Sequence, residues 1–410
     1  MHETSGVVIV GGSIAGYSLA RQLRKNNYNK KITLIDGKNT LPYDRSKLST
    51  TWMKDLDRIE PPLFQKRDFY IKEDIKVLLN TKVNKIDPEN KVLELDSKEV
   101  IPYDKLVLAT GSKLKKLEVE DSDAGGIFYL RDHEDAVEMK EWSKNIKDLV
   151  IIGGGFIGLE LASSFSQVGL NVTVVEYEDY PMAQQLGVEV SKYFIKMHKE
   201  HGVHFLTGKA AKTFKKDQMG NLEKVITTEG KEIPAQMAVI AIGVEANHSV
   251  NLPGLAVDKG VIINEYGETN IKDVYAIGDL VSWPYQGKNI RTAHWEHAYY
   301  QGKNVAKNII KEKSQPYEIC PYFWTDQYDQ TFERLGYVEA WDRMIIRGSL
   351  ESKKFTVAYL DKDNRLQAIF FANNGDKRKE VSQFMDREET IIDEDAFKNM
   401  TIPLNEMPRK

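Results

Sequence analysis

The fold is decided by the stretch Val7-Val8-Ile9-Val10-Gly11-Gly12-Ser13-Ile14-Ala15-Gly16, which recurs as Leu149-Val150-Ile151-Ile152-Gly153-Gly154-Gly155-Phe156-Ile157-Gly158. Each copy predicts a strand, a tight turn, a helix and a second strand. The second strand ends in an acidic residue, Asp36 in the first copy and Glu176 in the other. The repeat therefore predicts an α/β protein with two Rossmann-like dinucleotide-binding domains.

The residue types at these positions suit a dinucleotide. The first glycine turns the chain sharply, the second lets backbone N–H groups reach a diphosphate, and the third lets helix and strand pack closely. The acidic residue accepts hydrogen bonds from the ribose, and Glu176 would repel a 2′-phosphate, which favours NAD over NADP. Ser13 puts a small side chain at the middle glycine position of the first copy. The predicted contacts are Gly11, Ser13, Ile14, Ala15, Gly16 and Asp36 in the first copy, and Gly153, Gly155, Phe156, Ile157, Gly158 and Glu176 in the second.

Composition excludes several other classes of protein. The chain has 410 residues, 41% hydrophobic and 29% charged, which is typical of globular proteins. Its net charge of -4 disfavours a nucleic-acid binder. The single cysteine, Cys320, allows no intrachain disulfide, cysteine-based zinc site or Cys-x-x-Cys redox centre, and we expect an inert thiol. No apolar run reaches the length of a membrane span or signal peptide, which predicts a cytoplasmic protein.

Further segments carry a family resemblance. Tyr103–Ser112 predicts a buried strand that runs into a Thr-Gly turn, and Ile271–Asp279 predicts one that ends in Gly-Asp. With the two fingerprints, these segments resemble the two-dinucleotide flavoprotein reductases, which implies FAD and NAD(H) as cofactors. Val239–Asn247 is similar to that family's return from the NAD domain to the FAD domain, although Ala246 stands where a proline is usual.

The segment Leu41–Thr50 narrows the resemblance because it contains no cysteine. Disulfide reductases of this superfamily place a redox-active cysteine soon after the first fingerprint, so their chemistry is disfavoured. The string Pro-Tyr-x-Arg-x-x-Leu-Ser instead resembles the NADH-dependent, putidaredoxin reductase-like ferredoxin reductases of oxygenase systems and their relative, apoptosis-inducing factor. Arg291–Ala298 is similar to the family helix that approaches the flavin ring, and Pro321–Tyr328 to the segment that opens the third domain.

The resemblance implies further site residues. Glu160 corresponds to a glutamate that the family pairs with a lysine beside flavin N5, but Thr50 stands at the lysine position. The cation is therefore missing or supplied by Lys47 or Lys54. Trp324 is either part of the edge where electrons leave the flavin or simply a core aromatic. The remaining implied cofactor contacts are Arg45, Lys47, Ser49, Val83, Ala109, Thr110, Gly111, Ile242, Gly243, Gly278, Asp279, His294 and Trp295.

The implied architecture inserts the NAD domain into the FAD domain. The expected segments are residues 1–117 and 244–316 for the FAD domain, 118–243 for the NAD domain, and 317–410 for a C-terminal α+β domain. NADH would deliver a hydride to flavin N5, and electrons would leave singly to a ferredoxin- or rubredoxin-type carrier near Trp324. Two alternatives stay open: an NADH-dependent reductase of a small acceptor such as a quinone or monodehydroascorbate, and a redox-sensing protein like apoptosis-inducing factor. Monomer and homodimer both remain open.

The sequence also contains a group of histidines and two groups of basic residues that need not be functional sites. His198, His201 and His204 recur at metal-like spacing, but Gly202 closes a helix before His204, so the three need not converge. The basic residues Lys113, Lys115 and Lys116 and the run Lys377–Lys379 could steer an acidic carrier, but solvated surface lysines are the commoner explanation for such clusters.

Overall fold

The structure, a computed structural model, describes residues 5–250, 252–373, 378–385 and 390–404. The chain forms two units. The first comprises Met1–Asp44, Glu60–Lys113 and Val244–Ile319, and the second comprises Arg45–Ile59, Leu114–Gly243 and Cys320–Lys410. The segment with the second fingerprint is thus inserted between segments of the unit that carries the first, which confirms the predicted architecture. The four segment boundaries predicted from the sequence stay a prediction.

The first unit is built on a five-stranded parallel sheet. Its strands lie in the order Val274–Ala276, Lys105–Leu108, Val7–Val10, Ile32–Ile35 and Ile75–Leu78. The two strands of the fingerprint are buried along their whole length, as expected for β-branched strands covered on both faces. Because the carboxyl ends of parallel strands meet at one edge, the residues that follow these strands are brought together there.

Two helices of the first unit pack at backbone distance. Helix Ile14–Lys25 contacts helix Trp295–Ile310 at Gly302, where a Cβ would lie 2.2 Å from Ser18 Oγ and 2.5 Å from the Ala15 carbonyl oxygen. Only a glycine permits this approach. The fingerprint helix is thereby fixed against a helix that begins only at Trp295, far later in the chain.

The second unit repeats the parallel arrangement. Its strands lie in the order His204–Leu206, Asn171–Val175, Asp148–Ile152, Met237–Ile240 and Ile127–Phe128, and every neighbouring pair is parallel. Helix Phe156–Gln167 follows the central strand, as the fingerprint predicts. The duplicated pattern in the sequence therefore corresponds to a duplicated fold.

The C-terminal part of the second unit is a five-stranded antiparallel sheet. The strand order is Tyr322–Gln327, Gln330–Gly336, Leu366–Ala372, Lys354–Leu360 and Arg343–Ser349. Helix Val188–Glu200 inserts aromatic side chains into this sheet: the Phe194 ring centroid lies 4.5 Å from that of Phe332, and Tyr193 lies 5.1 Å from Phe355. These contacts explain why the final segment groups with the inserted one, and they confirm the predicted α+β character.

Smaller elements complete the described parts of the chain. Further strands are Val83–Asp87, Val92–Leu95, Val100–Pro102, Ser112–Leu114, Ala211–Lys216, Leu222–Thr227, Glu232–Pro234, Val244–Ala246, Val261–Ile262, Val281–Tyr285 and Lys288–Ile290. Further helices are Thr51–Lys54, Arg67–Lys72, His133–Ser143, Ala183–Leu186, Arg378–Met385 and Glu394–Lys398, with 3₁₀ turns at Arg45–Lys47 and Gly278–Leu280. Among the described residues, no helix has the length and apolar character needed to cross a bilayer.

Candidate functional site: two dinucleotide cradles and a buried glutamate

The first fingerprint forms a loop whose glycines are required by the backbone itself. Gly11 has a φ of +119°, and a Cβ there would lie 2.1 Å from the Ala109 carbonyl oxygen. A Cβ on Gly16 would lie 2.1 Å from the Gly11 carbonyl oxygen, so helix and strand can approach this closely only at a glycine. Ser13 gives the helix no side-chain cap. The first N–H groups of the helix thus form the donor set that binds a phosphate.

Asp36 closes this loop from the next strand. Its Oδ2 accepts a hydrogen bond of 2.7 Å from the Gly12 N–H, and its Oδ1 accepts one of 2.8 Å from the Lys38 N–H. A carboxylate oxygen can accept more than one hydrogen bond. The carboxylate therefore fixes the loop while it can still accept hydrogen bonds from ribose hydroxyls.

The second fingerprint repeats this geometry contact for contact. Gly153 has a φ of +107°, and a Cβ on Gly158 would lie 2.1 Å from the Gly153 carbonyl oxygen. Glu176 Oε2 accepts a hydrogen bond of 2.5 Å from the Gly154 N–H, and Oε1 accepts one of 2.8 Å from Glu178 N–H. The acidic residue after the second strand is thus a clamp on the glycine loop in both copies.

The middle position of each loop has a different requirement. A Cβ at Gly155 would meet no heavy atom of the described residues within 4 Å, and Gly155 has an ordinary φ of -73°. Ser13 occupies the matching position in the first loop with a φ of -83°. Gly155 is not constrained by the protein's own packing, so the open space around it fits a ligand. The two cradles therefore suit dinucleotide diphosphates.

Polar residues at the edge of the first sheet form a second group. Asp279 Oδ2 accepts a hydrogen bond of 2.8 Å from Ser112 Oγ, and Arg291 donates both to Ser112 Oγ (3.1 Å) and to the Asp279 carbonyl oxygen (2.9 Å). The Gly278 N–H donates to Gln301 Oε1 at 2.7 Å. This network orients the Asp279 carboxylate that the resemblance assigns to FAD. Ser112 and Arg291 were not predicted as site residues.

The Thr-Gly turn lies beside this group in the first unit. Thr110 Oγ1 donates to the Asn247 carbonyl oxygen at 2.8 Å, and the Asn247 N–H donates to the Gly111 carbonyl oxygen at 2.8 Å. The Ala109 N–H donates to the Val10 carbonyl oxygen at 2.8 Å. The predicted residues Ala109, Thr110 and Gly111 thus lie beside the first glycine loop.

Three predicted FAD contacts belong to the second unit. Arg45 makes an ion pair with Asp132 at 2.9 Å, and Lys47 ends the same 3₁₀ turn. Ser49 Oγ donates to Glu160 Oε2 at 2.5 Å, and the Ser49 carbonyl oxygen accepts from Ser164 Oγ at 2.7 Å. Contacts between these residues and FAD stay a prediction.

Glu160 is partly buried and is held by two hydroxyls. It lies on helix Phe156–Gln167, and Thr325 Oγ1 donates to its Oε1 at 2.6 Å while Ser49 takes Oε2. Burial raises the pKa of Glu160 to about 7, and the two hydroxyl donors oppose that rise. Neither Lys47 nor Lys54, the two predicted substitutes for the lysine, makes an ion pair with it. Thr50 instead donates to the Ser46 carbonyl oxygen at 3.2 Å.

Trp324 is separated from this glutamate by the alternation of its strand. Neighbouring side chains of a strand point to opposite faces, so Trp324 faces away from Thr325. Its ring stacks on Tyr322 with centroids 6.1 Å apart, against the core of the antiparallel sheet. On the other face, Phe323 contacts Phe156 at 4.6 Å, next to the second glycine loop. A role for Trp324 in electron exit stays a prediction.

Other predicted site residues are dispersed over the two units. His294 precedes helix Trp295–Ile310, where the Trp295 ring stacks on Tyr299 at 5.2 Å. Val83 begins the strand Val83–Asp87, and Ile157 is 44% exposed at the start of its helix. Ile242 and Gly243 follow the strand Met237–Ile240, and Gly243 has a φ of +100°.

Within the part of the chain that the structure describes, the three histidines do not form a metal site, and two of the lysines have partners of their own. His198 and His201 lie at the end of helix Val188–Glu200 and His204 begins the next strand, as predicted. Among the described residues, no group of three or more His, Cys, Asp or Glu could hold a metal ion. Lys113 pairs with Glu245 at 3.0 Å and Lys116 lies 3.8 Å from the Tyr129 ring centroid. Lys377 lies outside the described residues.

Comparison with known proteins agrees with this geometry. Residues 5–302 match the family described as pyridine nucleotide-disulphide oxidoreductase, and residues 322–407 match the one described as reductase C-terminal. The first match covers both glycine loops, their acidic clamps and the Gly-Asp turn. The second begins at the strand that carries Thr325.

Three relatives are informative. Rhodocoxin reductase of Rhodococcus erythropolis is 34% identical over 355 residues, which are 86% of this chain and 82% of that protein. Apoptosis-inducing factor 3 of Mus musculus is 31% identical over 378 residues, which are 90% of this chain and 61% of that protein. A solved structure, the covalent putidaredoxin reductase–putidaredoxin complex, matches with a TM-score of 0.92 at 28% identity, covering 99% of this chain and 98% of the other.

Proposed function

The chain belongs to the pyridine nucleotide-disulphide oxidoreductase family and is an oxidoreductase that uses FAD and NAD(H); we propose that it transfers electrons from NADH to a ferredoxin- or rubredoxin-type carrier. The observation that carries the proposal is the pair of matched dinucleotide cradles in a chain with one cysteine. A single thiol cannot form an intramolecular disulfide, so a dithiol relay within one chain is excluded. This arrangement fits an electron acceptor that is a separate molecule and not a part of the chain.

FAD is assigned to the first cradle. The N–H groups at the start of helix Ile14–Lys25 would hold its diphosphate, and Asp36 would accept hydrogen bonds from its adenosine ribose. Asp279, oriented by Ser112 and Arg291, would accept from the ribityl hydroxyls. When bound, FAD supplies the capacity to take two electrons as a hydride and to release them singly. The chain's own residues contribute binding, orientation and electrostatics.

NADH is assigned to the second cradle. The loop from Gly153 to Gly158 would hold its diphosphate at the start of helix Phe156–Gln167. Glu176 would accept hydrogen bonds from the 2′- and 3′-hydroxyls and repel a 2′-phosphate, so NADH is the preferred donor. Phe156, braced by Phe323, would limit how far the bound nucleotide can move.

The nature of the acceptor is supported by the relatives. Rhodocoxin reductase and the putidaredoxin reductase–putidaredoxin complex both name small redox proteins as partners. The test is NADH oxidation by the flavin-loaded enzyme with a ferredoxin, a rubredoxin, a soluble quinone and monodehydroascorbate, each at low micromolar concentration. We expect a protein carrier to give the highest kcat/KM. A higher value with the quinone or with monodehydroascorbate would support a small-acceptor reductase instead.

A redox-sensing role is the second candidate, favoured by one observation. Glu160 has no lysine or arginine partner within the described residues, and the chain resembles apoptosis-inducing factor 3 over 90% of its length. Such a role predicts slow turnover and a change of oligomeric state with NADH. Light scattering with and without NADH, beside the turnover assay, separates it from the carrier reductase and also establishes whether a homodimer forms. A cytoplasmic location is proposed together with this function, and cell fractionation would test it.

A further inference from the structure

A continuous line of hydrogen bonds leads to Glu160 through the second unit. Tyr328 OH lies 2.9 Å from His198 Nδ1, and His198 Nε2 lies 2.8 Å from Gln327 Oε1. Gln327 Nε2 donates to Thr325 Oγ1 at 3.1 Å, and Thr325 Oγ1 donates to Glu160 Oε1 at 2.6 Å. The side chains of His198, Gln327 and Thr325 are almost completely buried. Water therefore does not compete for these bonds.

The chemistry of the groups fixes the direction of this line. An amide nitrogen can only donate, so the Thr325 hydroxyl accepts a hydrogen bond from Gln327 and donates its own to Glu160. Gln327 Oε1 can only accept, so His198 carries its hydrogen on Nε2. Burial lowers the pKa of His198 to about 4, which keeps the ring neutral and leaves Nδ1 to accept from Tyr328. Each donor in the line thus points toward the glutamate.

The opposite carboxylate oxygen has its own donor. Ser49 Oγ donates to Oε2 at 2.5 Å, and Ser49 is fixed because its carbonyl oxygen accepts from Ser164 Oγ on the same helix as Glu160. Both oxygens of Glu160 therefore receive a hydroxyl hydrogen bond in a site that is largely closed to solvent. A carboxylate that receives such bonds is favoured over the neutral acid.

Charges around the site give Glu160 no compensation. The nearby charge that acts on it is Asp326, which follows Thr325 on the strand and disfavours ionisation. Lys54, on the helix Thr51–Lys54 packed against helix Phe156–Gln167, makes no ion pair with it. His198 and Tyr328 reach it only through the hydrogen-bonded line. Ionisation of Glu160 therefore depends on neutral donors.

We propose that the hydroxyls of Ser49 and Thr325, backed by Gln327 and His198, take the place of a cation and favour the ionised form of Glu160 against the effect of burial. These four are positioning residues, because they act on Glu160 and not on a substrate. If Glu160 Oε1 carried a proton that pointed to Thr325, Thr325 could no longer donate to it. Each hydrogen bond in the line would then weaken, or its donor and acceptor would exchange roles. The ionisation itself does not depend on the identity of the acceptor, but its consequence for NADH oxidation rests on the proposed function.

The experiment is an infrared pH titration of the flavin-loaded enzyme, with the Glu160 carboxyl band identified from its loss in Glu160→Gln. Thr325→Val keeps the shape of the side chain and removes the donor, so the titration midpoint should rise by about one to two pH units. Thr325→Ser restores a hydroxyl and should return the midpoint to that of the wild type. Gln327→Leu, which cuts the line behind Thr325, should raise it by less than about one pH unit.

The control is Ser166→Ala. Ser166 lies 3.4 Å from Tyr328 OH, outside the line itself, and its loss should leave the midpoint unchanged. An unchanged midpoint in both Thr325→Val and Gln327→Leu would overturn the proposal. If Thr325→Val loses its flavin or fails to fold, Ser49→Ala tests the other donor and carries the same expected rise. The titration needs no electron acceptor, so failure to reduce any ferredoxin would refute the proposed function and leave this result standing.

Discussion

Replacement of Gly158 by alanine tests whether the second loop is built as described. The new Cβ would lie 2.1 Å from the Gly153 carbonyl oxygen, whereas real contacts of this kind need more than about 3 Å, so helix Phe156–Gln167 must move by roughly 1 Å. Strain of this size costs about 1–3 kcal/mol of folding stability. The same movement displaces the N–H groups that would hold the NADH diphosphate. We expect the KM for NADH to rise about tenfold or more, which corresponds to about 1.4 kcal/mol of lost binding.

A matched variant in the same loop separates strain from ligand contact. Gly155→Ala adds the same methyl group where no described heavy atom lies within 4 Å and where the φ of -73° suits alanine. Its stability should stay level or rise by about 0.4–1 kcal/mol, because the unfolded chain loses freedom. The assays are denaturant unfolding and steady-state NADH kinetics, with flavin content as the check that the first cradle is intact. If Gly158→Ala matches the wild type in both stability and KM, the loop does not have the packing described.

Three further outcomes follow from the clamp, the glutamate and a buried histidine. Glu176→Gln removes the charge that repels a 2′-phosphate, so the ratio of kcat/KM for NADPH to that for NADH should rise by about tenfold; an unchanged ratio would refute the clamp's role in specificity. The folded-state pKa of Glu160 lies above its unfolded value of 4.5, so its contribution to stability is full below pH 4.5 and is lost as the pH rises through about 7. Glu160→Gln should therefore be more stable than the wild type at pH 8, by at most about 3 kcal/mol, and this gain should vanish at pH 4 in urea unfolding. Burial against Trp283 lowers the pKa of His297 to about 3, so stability should fall as the pH drops below 6.5, and His297→Leu should flatten that fall in acid titrations followed by tryptophan fluorescence.

The two cradles could be predicted from the sequence because their requirements are local. Gly11 and Gly153 need positive φ, Gly16 and Gly158 need the absence of a Cβ, and each requirement is met at a fixed spacing from a β-branched strand. The acidic clamps follow for the same reason, since the next parallel strand must end beside the loop. The hydrogen bonds from the second glycine N–H to these carboxylates were not predicted. The spacing along the sequence shows that the acidic residue lies near the loop, but it does not show which group of the loop donates to it.

The surroundings of Glu160 could not be predicted in the same way. Thr325 lies 165 residues later, and its strand motif alone did not indicate which face it would present. The family resemblance indicated Trp324, the larger neighbour, but the alternation of the strand turns that side chain to the other face. Ser49 was expected to contact FAD, and its hydroxyl donates to Glu160. The family resemblance identified Glu160 as a site residue but could not identify its partners. Thr50 replaces the lysine with which the family pairs this glutamate.

The sequence also could not predict that the C-terminal sheet packs with the inserted segment in one unit. It depends on Phe194 and Tyr193 meeting Phe332 and Phe355, aromatic residues from a helix and two strands that are distant along the chain. Hydrophobic periodicity shows that each element has an apolar face but does not show which faces meet.

The interrupted order of the first unit has a consequence for biosynthesis. The parallel sheet of the second unit draws all its strands from one uninterrupted stretch ending at Ile240, so it can form as soon as that stretch has left the ribosome. The sheet of the first unit must wait for Val274–Ala276, and its glycine loop for the helix that meets it at Gly302. The nascent chain would therefore acquire its nicotinamide-nucleotide fold before its flavin fold, although the flavin fold begins first in the gene.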